Sequence, residues 1–238
     1  MKSEVTIFWF RRDLRLEDNA GLYHALKSNR PVVPVFIFDR SILDELEEKI
    51  DRRVEFIHQS LQEIQKQLQS FGSTLDVRYG FPLDVYKELA EEYEIREVFA
   101  NHDYEPYANE RDHAIAEFLG SKGIFLRSYK DQVIFEKSEV IKDDGKPYTV
   151  FTPYSKRWKS IVNDFYLKSY PTHEYFENFY KQARKAIPSL ASMGLQSAEE
   201  KFPSKKWDQS IIENYSTQRD FPATEGTSRL SVHLRFGT

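Results

Sequence analysis

The sequence contains no cysteine among its 238 residues. This absence excludes a disulfide framework, a thiolate zinc site and a cysteine nucleophile. Its six histidines show no H-E-x-x-H or comparable spacing, so we expect no metal site. The most apolar stretch, PVVPVFIF, is far too short to cross a bilayer, and the segment MKSEVTIFWF lacks the layout of a signal peptide. We therefore expect a cytoplasmic protein.

An excess of positive charge is also missing. The chain has 34 Lys and Arg against 38 Asp and Glu, a net charge of −4. Proteins that bind nucleic acid broadly are normally basic, so any contact with DNA needs a local patch. Residues 151–206 carry ten Lys and Arg against five Asp and Glu. This segment is either such a patch or a solvated linker.

Five short runs of β-branched and aromatic residues predict buried strands. These runs are VTIFWF (5–10), VVPVFIF (32–38), TLDVRY (74–79), REVFAN (96–101) and IFLRSY (124–129). Between them, apolar residues spaced by threes and fours predict helices, most clearly over 54–71, then over 83–90 and 115–119. This alternation predicts an α/β fold with a doubly wound, parallel five-stranded sheet of Rossmann-like type.

The glycine-rich fingerprint of dinucleotide-binding domains is absent. No G-x-G-x-x-G follows the first strand; the sequence there is RRDLRLEDNAGL. An NAD-type site after the first strand is therefore disfavoured.

The second half of the chain has weaker periodicity. Strand-like residues end near 148–151, and a short helix is predicted around 153–165. From about 167 to 204 the prolines and polar residues indicate a long connector, partly ordered by packing on its neighbours. A last helix is predicted over about 204–215. We expect residues 1–130 to fold on their own and the stretch after about 204 to be loosely held.

Three motifs allow both a structural and a functional interpretation. FWFRRDLRLEDNAGL (8–22) places arginines at the carboxyl end of the first strand, where α/β sheets bind ligands, although Asp18 or Asn19 also suits a helix N-cap. NHDYEPYANERD (101–112) clusters carboxylates without a partner nucleophile, which favours salt bridges or cofactor contacts over catalysis. YTVFTPYSKRW (148–158) suits nucleic acid or, as we prefer, a domain contact.

The segment EGTSRLSVHLRFGT (225–238) has the side chains of a phosphate-binding site. Thr227, Ser228 and Ser231 offer hydroxyl donors, and Gly226 permits close approach of a ligand to the backbone. Arg229 and Arg235 add planar, permanently charged guanidinium groups.

Four segments in order resemble the photolyase/cryptochrome family of flavoproteins. They are WFRRDLRLEDNAGL, DYEPYANERD, VFTPYSKRW and YSTQRDFPATEGTSRLSVHLRFG, spread from residue 9 to residue 237. The resemblance implies an α/β antenna domain, a long linker and the truncated start of a helical FAD domain. The implied bounds are 1–130 for the antenna-domain core, 131–166 for its C-terminal extension, 167–203 for the interdomain linker and 204–238 for the incomplete start of the FAD-binding domain.

The resemblance also implies residue roles. It implies FAD contacts at Tyr215, Thr227, Ser228, Arg229, Leu230 and Ser231. Arg219 matches a position that touches DNA phosphate in repair enzymes. Arg53 and Asp103 match contacts of flavin or deazaflavin antennae, whereas Asn109–Glu110 is a displaced version of a folate-binding pair. An antenna site formed by Arg11, Phe38, Asp39, Arg53 and Asp103 is predicted at the carboxyl edge of the sheet, the alternative being a surface salt bridge between Arg53 and Asp103.

The activity implied is that of a DNA photolyase, in which FAD drives light-dependent repair of pyrimidine dimers in UV-damaged DNA. This chain is then the N-terminal part of a lyase, without catalytic residues of its own, inactive alone and monomeric. A cryptochrome photoreceptor is the alternative, and Arg219 favours repair over it. A free-standing nucleotide-binding α/β module is less favoured, because no phosphate loop follows a strand.

Overall fold

The computed structural model describes residues 2–199 and 201–238; Met1, and Glu200 in the predicted linker, lie outside the described residues. Five strands form one parallel sheet in the order β3-β2-β1-β4-β5. They are β1 (Glu4–Phe10), β2 (Val32–Asp39), β3 (Asp76–Gly80), β4 (Glu94–Asn101) and β5 (Phe125–Tyr129). The predicted α/β fold with a five-stranded parallel sheet is confirmed.

The helices follow the strands in alternation up to β5 and then continue alone. They are α1 (Ala20–Leu26), α2 (Arg40–Leu43), α3 (Arg52–Ser70), α4 (Pro82–Glu92), α5 (Pro106–Ser121), α6 (Phe151–Ile161), α7 (Asp164–Leu167), α8 (Gln209–Gln218) and α9 (Ser231–Phe236), with 3-10 turns at Thr172–Asn178 and Ala191–Met193. Among the described residues, no helix combines the length and apolar character that a membrane span requires.

Several boundaries differ from the prediction, and three of them lie at the starts of helices. Helix α5 begins at Pro106, well before the predicted 115, because proline suits the first turn of a helix. Residues 148–150 form no strand, since α6 begins at Phe151. Helix α8 begins at Gln209 instead of 204, where the Asp208 carboxylate accepts a hydrogen bond from Ser210 N at 2.8 Å.

The two faces of the sheet form separate hydrophobic layers, because successive strand residues point to opposite sides. Phe8 and Phe10 of β1 pack with α1 and α3 on one face. Ile7 and Trp9 pack with α4 and α5 on the other. Both faces of the central strands are therefore covered, as their continuous apolar runs predict. At the sheet edge β5 has no buried residue, so the prediction of a buried strand is wrong there.

A buried polar cluster fixes the turn after β1. Asn101, at the end of β4, donates from Nδ2 to Asp13 Oδ2 at 2.5 Å and to Asn19 Oδ1 at 2.9 Å. Asn19 caps α1 by accepting a hydrogen bond from Leu22 N. Gly21 N donates to Asn101 Oδ1 at 2.8 Å, and a Cβ atom at Gly21 would lie 2.7 Å from that oxygen. The cluster thus holds the carboxyl ends of β1 and β4 at a defined position.

The predicted linker packs closely against the α/β domain for much of its length. Phe176 and Phe179 are buried in the core, and Tyr180 N donates to Val32 O at 2.8 Å. Lys185 Nζ lies 2.6 Å from both Asp76 Oδ2 and Glu92 Oε1. Although burial favours the neutral acid, hydrogen bonds from Lys185 and Arg78 hold the pKa of Glu92 below its ordinary value. The stability that these hydrogen bonds to ionised Glu92 contribute is present above the ordinary carboxyl pKa. It is lost as the pH falls through the lowered pKa of Glu92.

The stretch after residue 204 is not uniformly loose, which corrects that expectation. Helix α8 has no buried residue. In contrast, His233 is buried, and Phe236 packs against the core. Leu14 N donates to Phe236 O at 2.9 Å. The last residues of the chain therefore dock on the turn after β1.

Replacing Lys185 with methionine should release the linker. The variant keeps the aliphatic stem but removes charged hydrogen bonds to two carboxylates, so we expect the free energy of unfolding in urea to fall by about 1–3 kcal/mol. Chymotrypsin should also cut faster after Phe179 and Tyr180. The matched control is Lys181→Met. The half-exposed ammonium group of Lys181 contacts Phe71 O and Glu177, and its removal should lower the free energy of unfolding by less than about 0.5 kcal/mol. Equal losses in both variants would contradict the role given to Lys185.

Candidate functional site

A cavity of about 320 Å³ opens at the carboxyl edge of the sheet, beyond β1 and β2. All five residues predicted for the antenna site line it: Arg11, Phe38, Asp39, Arg53 and Asp103. The sheet explains this convergence, because the carboxyl ends of parallel strands meet at one edge.

The wall of the cavity is mostly apolar. Phe38 is buried at its base, and Ile57 of α3 and Leu43 of α2 face it from the helices. Phe36 and Phe10 extend the aromatic part of the wall, and Phe236 of α9 closes one side. Such a surface suits a flat, largely apolar ring system.

The carboxylate of Asp39 is already engaged within the protein. Its Oδ1 caps α2 by accepting from Ser41 N at 2.9 Å, and its Oδ2 accepts from the Tyr107 hydroxyl at 2.6 Å. Burial and the hydrogen bond to Asp39 raise the pKa of Tyr107 to about 12. Asp39 therefore shapes the cavity, and its two short hydrogen bonds occupy one lone pair on each of its oxygens.

Asp103 has different surroundings. Its side chain is only 7% exposed, yet its nearest cation is Arg12 Nε at a long 3.7 Å. Among the described residues, the other hydrogen bond to Asp103 is a 3.4 Å bond from Glu105 N. A carboxylate offers about four lone-pair positions, so Asp103 keeps acceptor capacity at the cavity wall.

Arg53 lies at the mouth of the cavity. Its side chain is 70% exposed and forms a bidentate pair with Asp51, with Nη2 2.5 Å from Oδ2. The alternative of a salt bridge between Arg53 and Asp103 is therefore wrong, because each residue has another partner.

The rim of the cavity is rich in cations. Five arginines line it against two carboxylates, those of Asp39 and Asp103; the arginines are Arg11, Arg12, Arg53, Arg111 and Arg235. Nearby carboxylates balance part of this charge: Glu105 accepts from Arg12 at 2.6 Å and from Arg235 at 3.2 Å. The Arg12 hydrogen bond is the main cause that lowers the pKa of Glu105.

The residues predicted to contact FAD lie outside this cavity. Tyr215 is on the exposed helix α8, and the other five, residues 227–231, lead into α9. Arg229 pairs with Glu225, with Nη2 2.7 Å from Oε1. Arg219, predicted to contact DNA, directly follows α8 and places its guanidinium 5.6 Å from the ring centroid of Tyr215.

The match to known proteins covers most of the chain. A family model described as DNA photolyase matches residues 6–187. The chain belongs to the DNA photolyase family.

Individual relatives support the same membership. The chain is 32% identical to an uncharacterized 31.6 kDa protein of Synechococcus sp. PCC 6716, covering 100% of this chain and 86% of the relative. It is 30% identical to a deoxyribodipyrimidine photo-lyase of Synechococcus sp. PCC 6301, covering 97% of this chain and 51% of the relative. The structure of a class III photolyase from Agrobacterium tumefaciens matches with TM-score 0.78 at 26% identity, covering all of this chain and 51% of that one. The chain thus spans about half the length of these photolyases.

Several residues that line the cavity were not among those predicted from the sequence. Trp9, Arg12, Arg111, Arg235 and Phe236 all line the cavity. Arg111 lies in the segment NHDYEPYANERD (101–112), whose charged residues suggested cofactor contacts, so this segment could have indicated Arg111 as a cavity residue. Arg235 was grouped with the phosphate-binding hydroxyls, whereas the structure places it on the cavity rim. No local pattern reveals that placement, because Arg235 and its partner Glu105 are 130 positions apart in the sequence.

Proposed function

We propose that this chain is the N-terminal part of a DNA photolyase and that its α/β domain binds an antenna pigment. The observation that carries the proposal is the convergence of Arg11, Phe38, Asp39, Arg53 and Asp103 on one aromatic cavity. Its volume of about 320 Å³ falls within the range of small-molecule sites. The activity of the whole protein is then light-driven, FAD-dependent repair of pyrimidine dimers in UV-damaged DNA.

The chemistry of the cavity favours a flavin or deazaflavin as the pigment. Phe38 and its neighbours offer a surface on which a tricyclic ring stacks. Asp103 offers a buried acceptor to an N–H donor at the polar edge of such a ring. The arginine-rich rim suits an anionic substituent, such as a phosphate on the side chain of the pigment.

Residues 227–231 have the side chains expected in one wall of a binding site for a phosphate-bearing cofactor. Within the described part of the chain, the hydroxyls of Thr227, Ser228 and Ser231 make no hydrogen bond to protein, so their donors remain available. FAD, when bound, supplies the light-driven electron transfer of the family. The role proposed for residues 227–231 is to hold its phosphates through hydroxyl and backbone N–H groups, while Tyr215 contacts it from α8.

Titration of the purified chain with FMN, followed by fluorescence, tests the pigment site. Asp103→Ala should weaken binding by about 5–10-fold, or ~1–1.4 kcal/mol, because the buried acceptor is lost. Arg53→Ala should change binding by only about twofold, since its exposed charge is screened by solvent.

The control for Asp103→Ala is Asp84→Ala, which removes an exposed carboxylate on α4. Thermal unfolding of each variant establishes that the fold is retained. Binding that survives unchanged in the double variant Asp103→Ala/Arg53→Ala would remove these residues from the site, and FMN that fails to bind the parent chain would refute the choice of a flavin.

A further inference from the structure

Two arginine side chains flank the indole ring of Trp9. The guanidinium carbons of Arg11 and Arg111 lie 4.8 and 4.7 Å from its ring centroid. Trp9 is 2% exposed, and both arginines are largely buried. Because water is excluded, these charges act on the indole with little screening.

The guanidinium groups beside Trp9 outnumber the carboxylates that pair with them. Arg11 and Arg111 share a single carboxylate, that of Asp112, with N–O distances of 2.5 and 2.9 Å. Arg11 also donates to the backbone carbonyl of Asn101. Two guanidinium groups therefore pair with one carboxylate beside the ring, whereas the buried carboxylate of Asp13 accepts from Arg11 N and from the side-chain amides of Asn19 and Asn101 and pairs with neither guanidinium.

Tyr86 does not supply the missing negative charge. Its ring packs edge-on against Trp9, with centroids 5.4 Å apart. Its hydroxyl is buried and has no hydrogen-bond partner in the described structure. Burial raises the pKa of Tyr86 far above its ordinary value, so the phenol stays neutral.

A positive cluster beside an indole makes that indole harder to oxidise. Loss of one electron converts Trp9 to a radical cation, which the neighbouring guanidinium charges repel. The same step abolishes the attraction between the cations and the electron-rich face of the neutral ring. Both effects raise the free energy of the oxidised ring relative to the neutral one.

This effect bears on light harvesting because Trp9 lines the cavity. An excited flavin or deazaflavin is a strong one-electron oxidant, and an adjacent indole ordinarily reduces it. That transfer forms the Trp9 radical cation, adds one electron to the pigment and dissipates the excitation. An antenna works only if its excited state survives long enough to pass on its energy.

We propose that Arg11 and Arg111 make Trp9 a poor electron donor and thereby protect the excited state of the pigment. This inference rests on the proposed pigment site. It assigns to the RRD turn after β1 and to Arg111 of α5 a photophysical role besides that of ligand contact.

The fluorescence lifetime of bound FMN tests the proposal. Arg111→Met, which keeps the length of the side chain without its charge, should shorten the lifetime at least about threefold. Arg111→Lys keeps the charge and should preserve it. In the double variant Trp9→Phe/Arg111→Met the lifetime should return to that of the parent, because the electron donor is gone.

Trp9→Phe alone gives a second test that does not depend on the stability of an Arg111 variant. Since the proposal holds that Trp9 does not quench in the parent, this variant should leave the lifetime of bound FMN within about 20% of the parent value. A lifetime several-fold longer would overturn the proposal, as would an unchanged lifetime in Arg111→Met that still binds FMN.

A measurement without pigment separates the electrostatic claim from the pigment site. In the background Trp158→Phe/Trp207→Phe, Trp9 is the only indole of the chain. Pulse radiolysis with the azide radical as oxidant should give a several-fold higher yield of Trp9 radical in Arg111→Met than in Arg111→Lys. Equal yields would refute the protective role of Arg111. If FMN does not bind the parent chain, the choice of a flavin and the role of Trp9 beside a flavin fail together, whatever the radical yield.

Discussion

Gly21→Ala should lower the free energy of unfolding by about 2–4 kcal/mol, although alanine is the better helix former. A Cβ atom at this position would lie 2.7 Å from Asn101 Oδ1 and 3.2 Å from the carbonyl carbon of Ala100. Helix α1 would have to move away from β4, which would break the hydrogen bond from Gly21 N to Asn101 and leave buried polar groups unpaired. Urea unfolding measures the loss.

The matched control is Gly120→Ala in α5. This glycine is exposed, and a Cβ atom there has no neighbour within 4 Å. The same substitution should therefore raise the stability by about 0.5–1 kcal/mol, as expected for a helix without steric conflict. If Gly21→Ala and Gly120→Ala changed the free energy of unfolding in the same direction, close packing of α1 on the sheet would not explain the effect of Gly21→Ala.

Ile57→Trp should abolish the binding of FMN. Ile57 faces the cavity from α3, so an indole at this position fills space that the ring of the ligand requires. We expect binding to weaken by at least about 100-fold, or ~2.7 kcal/mol, since the stacking surface is lost as well as volume. The measurement is the same fluorescence titration, run beside thermal unfolding.

Gln59→Trp provides the control on the same helix. Gln59 is exposed and lies on the outer side of α3, so this variant adds the same side chain without entering the cavity. Its affinity for FMN should stay within about twofold of that of the parent. Loss of binding in both variants would indicate a general disturbance of α3, and full binding by Ile57→Trp would place the ligand elsewhere.

The sheet and its edge were accessible from sequence for a simple physical reason. Strands that are buried on both faces read as continuous apolar runs, and each of the five runs contains most of an observed strand. Once the strands are parallel, residues just beyond them share one edge. Phe38 and Asp103 could therefore be placed together although 64 positions separate them in the chain.

Contacts between residues that lie far apart in the sequence could not be predicted from local patterns. Asp39 lines the cavity, but no local pattern shows that its carboxylate also accepts hydrogen bonds from Ser41 N and the Tyr107 hydroxyl. Docking of Phe236 on the turn after β1 depends on a backbone hydrogen bond across more than 220 residues. The proline-rich composition of the linker likewise gave no sign of how tightly Lys185 binds the domain.

Helix α9 also sets the distance between the cavity wall and the residues proposed to hold FAD phosphates. Its last turn contributes Phe236 to the cavity wall, and its first residue, Ser231, belongs to the stretch proposed to hold FAD phosphates. Six helical residues span about 9 Å along the axis. In the proposed assignment, a rigid spacer of about that length therefore separates the pigment cavity from the flavin phosphates. Because the rate of energy transfer between two chromophores falls steeply with their separation, a spacer made of hydrogen-bonded helix would keep that rate the same in every molecule.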